Sequence, residues 1–271
     1  MRDPRKSNFT TLWFGDLREK MVTIIEMKKL IIANWKMHPL REREAIALAK
    51  AEDEENVVIA PPFPFLAAVR KKLKKAALGA QDLFWENPED GGAFTGEVSA
   101  KMLRNIGATY VIIGHSERRK IMNESDEIVN RKVCVAITAG MEPILCVGEP
   151  KEIRERGEGT SLGFIKDQLS SALKGIECEG RQLIIAYEPL WAIGSGASDT
   201  PEDIEKMGGA IRVIMREIAS CETRVLYGGS VDEENARSIF TRSQIDGVLV
   251  GGASVHESEF LKIVDAAHEC S

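Results

Sequence analysis

No stretch of this 271-residue chain is apolar for the ~20 residues that a membrane-spanning helix needs. Nor does one sign of charge dominate: 36 Lys and Arg stand against 42 Asp and Glu, a net charge of −6 mixed along the chain. That balance argues against a nucleic-acid or membrane-surface protein. An anionic ligand would have to be drawn in by local charge, against the global field. The five cysteines, Cys134, Cys146, Cys178, Cys221 and Cys270, are odd in number and include no pair at metal-ligand spacing. They read as reduced thiols in a cytoplasmic compartment. No Gly-x-Gly-x-x-Gly opens a helix after the first strand, which disfavours a dinucleotide fold. Linker-like and low-complexity stretches are absent from 27 to 271, so one domain is expected there.

The first 26 residues hold only a short apolar run, Val22-Thr23-Ile24-Ile25, too short for a signal-peptide core. Asp3, Asp16, Glu19 and Glu26 are out of place in a transit peptide. Met21 and Met27 are both plausible alternative starts, and Met27 directly precedes the first convincing strand. Residues 1–26 are therefore expected to be a dispensable extension, and 27–271 the folded unit.

What the chain does have is alternation. Short apolar, β-branched runs lie near Lys29–Ala33, Val57–Ala60, Ala77–Gln81, Val111–Gly114, Pro143–Val147, Leu183–Tyr187, Val225–Gly228 and Val248–Gly251. Helical patterns intervene, among them Phe65–Leu73, Ile121–Ala139, Ser161–Leu173, Pro201–Ala219 and Glu233–Phe240. Strands alternating with helices imply a parallel sheet with right-handed crossovers. Eight of them imply an α/β fold closed into a single (β/α)8 barrel of parallel strands ringed by helices.

In such barrels the working residues sit at the C-terminal ends of the strands. Here those ends carry unusual chemistry. The first gives Asn34-Trp35-Lys36, the fourth Gly114-His115-Ser116-Glu117-Arg118, the sixth Glu188, the seventh Tyr227-Gly228-Gly229-Ser230 and the eighth Gly251-Gly252-Ala253-Ser254. Each fragment has an ordinary reading. Asn34 and Lys36 could be a helix cap beside a solvated cation, His115 a hydrogen-bonded strand-end residue, Glu117 and Arg118 a surface ion pair, and the Gly pairs plain turns. Glu188 fits an ordinary loop acid least well. It ends a buried apolar run and is followed by Pro189-Leu190-Trp191 and a small-residue segment with Gly194 and Gly196. A carboxylate rigid below and covered by a mobile segment suits a general base. Ser116 can cap a following helix, whose dipole would keep His115 neutral. Asp199, next to Thr200-Pro201, is expected to cap the helix after the small-residue segment.

The run from Ala186 to Gly196 closely resembles the base-and-lid segment of the triosephosphate isomerases, and the other strand-end motifs follow in that family's order over about residues 27–265. The resemblance implies a TIM barrel that interconverts dihydroxyacetone phosphate and D-glyceraldehyde 3-phosphate. It implies Glu188 as the base, His115 as a neutral electrophile, and Lys36 as the cation for phosphate and enediolate. Asn34 would orient the substrate, while Gly194, Ser230, Gly251 and Gly252 would offer phosphate-binding N–H groups. Glu117 would position Lys36 and His115, and Cys146 would pack beside the base. It further implies no metal or organic cofactor. The protein would be a homodimer in which Thr95, on the loop around Gly92–Glu97, reaches toward the neighbour's Asn34 and Lys36. Three features depart from the family pattern: Ala197-Ser198-Asp199 replaces the commoner Lys-Thr-Ala at the lid's end, the segment between strands one and two is shorter, and the loop from Asp82 to Gly92 is a few residues longer and carries Pro88. A different sugar-phosphate isomerase or aldolase, or an inactive binding protein on the same barrel, stays open at this point.

Overall fold

The computed structural model describes residues 28–177, 181–192, 199–219 and 221–270. The N-terminal segment, Cys178, and the lid residues Ile193 to Ser198, Gly194 among them, lie outside the described residues.

Eight strands form one closed, all-parallel barrel: β1 (Leu30–Asn34), β2 (Val57–Ala60), β3 (Ala77–Ala80), β4 (Tyr110–Ile113), β5 (Glu142–Val147), β6 (Gln182–Tyr187), β7 (Glu222–Tyr227) and β8 (Gly247–Val250). Each pairs with its neighbour in sequence, and β8 closes on β1 with Leu30 opposite Gly247. The register is tight at that seam, where a Cβ on Gly247 would stand 1.9 Å from the Leu30 carbonyl oxygen. Period-two alternation sends the side chains two ways. Leu30 and Ile32 fill the barrel with Ile112, Ile144, Ile184 and Leu249. Ile31, Ala33 and Trp35 face the helical layer with Ala45 and Ala49. Both faces of every strand are covered, which is why the strands read as continuous apolar runs.

Around the barrel run α1 (Glu42–Ala51), α2 (Leu66–Arg70), α3 (Ala100–Ile106), α4 (Ser116–Ile121), α5 (Asp126–Thr138), α6 (Lys151–Arg154), α7 (Glu158–Ala172), α8 (Pro201–Ala219), α9 (Ala236–Phe240) and α10 (Glu257–Glu269). Several ends differ from the sequence expectation for local reasons. The helix expected over Ile121–Ala139 is broken, because Asn123 takes a left-handed φ of 54°. A new helix then starts where the Ser125 hydroxyl accepts the Ile128 N–H. The α2 helix stops short of Leu73 because the Asp53 carboxylate accepts the N–H groups of Lys74, Lys75 and Ala76 and turns the chain toward β3. The start of α9 is delayed by Asp232, which accepts from Glu234 and Asn235 N–H.

At the start of α8 the cap is Thr200, not Asp199. The Thr200 hydroxyl accepts the Asp203 N–H at 3.2 Å, with Pro201 at the first helical position as expected. Asp199 is instead buried, its N–H donating to the Tyr227 hydroxyl. Burial pushes its carboxyl up to about 6 against the pull of Arg154.

Candidate active site

The carbon skeleton of the site is set by how β6 ends. The Glu188 N–H still donates to Val147 O at 2.7 Å, and Gly228 N–H donates to Tyr187 O at 2.7 Å, so the base position is held by sheet bonds on both sides. Glycines flank it closely. A Cβ on Gly148 would stand 1.8 Å from the Glu188 carbonyl oxygen, and one on Gly228 would stand 3.0 Å from its Cγ. Gly148 is fixed in turn by donating to the buried Gln168 Oε1. Glu188 itself is 2% exposed. Its Oε1 lies 3.1 Å from His115 Nε2, and its Oε2 accepts the Ser116 N–H at 2.9 Å. Cys146 is buried beside it. Burial and the Glu188 carboxylate both push the Cys146 thiol well above its usual range, so it packs as a neutral group.

His115 is reached through Gly114, whose φ of 71° turns the chain off β4. The helix cap expected at Ser116 is His115 itself: its Nδ1 accepts the Glu117 N–H at 3.2 Å. Ser116 is the first helical residue and contributes its backbone N–H to Glu188 rather than a capping hydroxyl. A ring nitrogen that accepts a backbone N–H carries no proton, which leaves the proton on Nε2, facing Glu188. Nitrogen-15 NMR of the imidazole should therefore show the Nε2–H tautomer at neutral pH. A proton found on Nδ1 would contradict the geometry.

Lys36 takes a left-handed φ of 52° just past β1. Three bonds hold that turn: its N–H donates to Asn34 Oδ1 at 3.1 Å, and Gln81 Nε2 donates to the Lys36 and Ala60 carbonyls at 2.7 and 2.8 Å. The ammonium lies against Gly251, where a Cβ would stand 3.1 Å from Lys36 Cε. It pairs with Glu117 Oε1 at 2.8 Å. Partial burial would raise the Glu117 carboxyl, but the hydrogen bond and charge of Lys36, with His115 adding to them, hold it below its usual range. The surface ion pair between Glu117 and Arg118 does not form. Arg118 turns the other way, to Asp82 Oδ2 and Glu124 Oε1, and the same two carboxylates hold the buried ammonium of Lys132 through Asp82 Oδ1 and Glu124 Oε1. In the turn just past the eighth strand, the buried Ser254 hydroxyl lies 2.7 Å from the Gly251 carbonyl and 3.1 Å from that of Asn34, bridging the two strand ends.

The structure thus brings Glu188, His115, Glu117, Lys36 and Asn34 into one continuous line from β6 across the start of α4 to β1, with Gly251 at its far end. Gly252 opens the short 3-10 turn after β8 with open space at its α-carbon. Ser230 follows the Gly228-Gly229 turn and anchors Asn235 through its carbonyl. Thr95 stands apart on an exposed loop between Gly91 and Gly96, both at positive φ. Among the described residues no group of three His, Cys, Asp or Glu is placed to hold a metal ion, and no helix is long and apolar enough to cross a membrane. Gly148 and Gln81 were not singled out in the sequence, and Ser254 stood in the eighth strand-end fragment without a role. Gln81 and Ser254 act through backbone carbonyls 45 and 220 residues away, a pairing that no local pattern encodes.

The family model described as triosephosphate isomerase matches residues 29–267. A triosephosphate isomerase of Dictyoglomus thermophilum is 44% identical over 250 residues, covering 88% of this chain and 98% of that protein. One from Carboxydothermus hydrogenoformans is 43% identical over 251 residues, with 88% and 98% covered. One from Aquifex aeolicus is 41% identical over 249 residues, with 88% and 99% covered. With the match running the length of the barrel and through every strand end that carries the site, the chain belongs to the triosephosphate isomerase family.

Proposed function

We propose that this chain interconverts dihydroxyacetone phosphate and D-glyceraldehyde 3-phosphate through an enediolate, the isomerisation used in glycolysis and gluconeogenesis. The observation that carries the reading is the line of polar groups from the buried Glu188 carboxylate to the Lys36 ammonium. Glu188 takes a proton from C1 of the ketose and returns it to C2. The Nε2–H of His115 polarises the C2 carbonyl and moves protons between the two oxygens. Carbon acids lose protons readily only when the resulting enediolate is stabilised, and a neutral donor with a fixed cation in a water-poor site does this electrostatically. Asn34 orients the substrate and Lys36 holds its phosphate. The N–H groups of Gly194, Ser230, Gly251 and Gly252 complete the phosphate site without further charge. The Ser116 N–H and the His115 ring hold the Glu188 carboxylate at the rim where the substrate carbons would lie. A coupled assay of glyceraldehyde 3-phosphate turnover tests the reading. Turnover of another sugar phosphate in its place would replace it.

The enzyme works as a homodimer in the cytoplasm in this reading. Large apolar side chains stand exposed on the segments after β1 to β4: Met37, Leu40, Phe63, Phe94, Met102, Ile121 and Met122. A concentration of this kind supports a covered face. Thr95, unattached within its own chain's site, would reach the neighbour's Asn34 and Lys36 from there. Light scattering at assay concentration should give twice the monomer mass, and a fully active monomer would refute the dependence.

A further inference from the structure

One buried ionisable group has no part in the site as described. Glu52 follows α1, is fully buried, and accepts a hydrogen bond from the Trp35 indole Nε1 at 2.9 Å through its Oε2. Its Oε1 has no hydrogen-bond partner. The charge that acts on Glu52 is that of Glu257, at the start of α10, and it is of like sign. The adjacent acids are engaged elsewhere: Asp53 accepts from Lys74, Lys75 and Ala76 N–H, and Glu54 pairs with Lys75. Trp35 heads the fully buried side chains by volume and faces the helical layer, while its neighbours Asn34 and Lys36 serve the rim. Its backbone N–H donates to Ala60 O and its carbonyl accepts from His38 N–H. The one polar atom of its side chain is the one Glu52 holds.

We propose that Glu52 is a positioning residue for the active site: from behind the first strand it holds the Trp35 indole, and through it the left-handed turn that delivers the Lys36 ammonium. A left-handed φ at a lysine is unfavourable on its own and persists only where its surroundings fix it. Asn34 and Gln81 fix the turn from the rim. The Trp35 indole fixes it from the core, and it is oriented only while Nε1 has its acceptor. Without one, a buried N–H is left unsatisfied and the ring has reason to shift. Glu52 does this as the neutral acid, because burial pushes its carboxyl up to about 8, with the Trp35 bond opposing and Glu257 adding to the rise.

The inference rests on the reading of Lys36 as the phosphate cation, and the experiment separates the two. Glu52→Leu, Glu52→Asp and Glu52→Gln are compared with Lys36→Met in kcat, KM and competitive inhibition by inorganic phosphate. Glu52→Leu should lose roughly 10- to 100-fold in kcat/KM, with weaker phosphate inhibition and a native circular-dichroism spectrum. Glu52→Asp, which cannot reach the indole, should lose in the same direction if the Leu variant fails to fold. Glu52→Gln keeps an acceptor and should restore both quantities. Its melting temperature should also gain on the parent between pH 5 and 8. A raised carboxyl stabilises the parent most below the unfolded value near 4.5, and that advantage is lost as pH rises through about 8. If Lys36→Met retains phosphate inhibition, the reading of Lys36 is wrong. If Lys36→Met loses it while Glu52→Leu or Glu52→Asp keeps parental kcat/KM, or if Glu52→Gln falls as far as they do, Glu52 positions nothing.

Discussion

Glu188→Gln loses isomerase turnover by roughly 10²–10⁴-fold or more, while its melting temperature stays close to that of the parent chain. The two halves of this expectation come from different parts of the structure. The amide has the size of the acid and keeps an oxygen for the Ser116 N–H, so the packing between Gly148 and Gly228 is undisturbed, and the change is confined to a donor NH2 facing His115 Nε2 in place of an acceptor. The backbone bonds to Val147 and from Gly228 do not involve the side chain at all. What is lost is the ability to accept a proton from carbon, and no other carboxylate among those bonded to His115 or Lys36 is placed on β6. Glu117 is committed to the Lys36 ammonium. Turnover within tenfold of the parent, by coupled assay on folded protein, would show that the base lies elsewhere.

Gly148→Ala should be nearly as damaging, although residue 148 carries no chemistry. Its added methyl would meet the Glu188 carbonyl oxygen at 1.8 Å and the carbonyl carbon at 2.5 Å, both backbone atoms in a paired strand. A flexible side chain could move aside at little cost; two hydrogen-bonded strand ends cannot. Overpacking of this kind costs about 1–3 kcal/mol, and a displacement near 1 Å at the base costs about 100-fold in rate. Gly163→Ala is the matching control. It lies on the exposed face of α7 with nothing within 4 Å of its Cβ position. There the helix should gain about 0.5–1 kcal/mol, with unchanged activity. Equal activity in the two alanine variants would mean that the close approach at Gly148 does not set the base.

The barrel was legible in the sequence because all eight strands are buried on both faces. Runs such as Ile31-Ile32-Ala33 and Leu183-Ile184-Ile185-Ala186 are apolar without interruption, and the polar residues that end them stand out by contrast. Asn34, Lys36, His115 and Glu188 were visible for that reason. Helix ends were less legible because several acceptors compete for the same N–H groups. Ser116 and Asp199 both have capping side chains, yet the His115 ring and the Thr200 hydroxyl take the role, because each helix starts one residue away from where composition suggests. Ion pairing across the fold was hidden for a different reason. Arg118 lies next to Glu117 in the chain but finds its partners on the loop after β3 and the segment before α5. The Glu52 bond to Trp35 spans 17 residues and joins a helix end to a strand end, with no periodic signal linking them.

Proton transfer at carbon by Glu188 is the center of the account, and exchange with solvent tests it most directly. Dihydroxyacetone phosphate is incubated with the purified chain in D₂O, and the product is followed by proton and deuterium NMR. The carboxylic acid formed on Glu188 exchanges with solvent, so deuterium should enter C2 of glyceraldehyde 3-phosphate and C1 of recovered substrate. Glu188→Gln should abolish exchange and isomerisation together. Isomerisation with no solvent deuterium in either compound, or exchange that persists unchanged in Glu188→Gln, would contradict it.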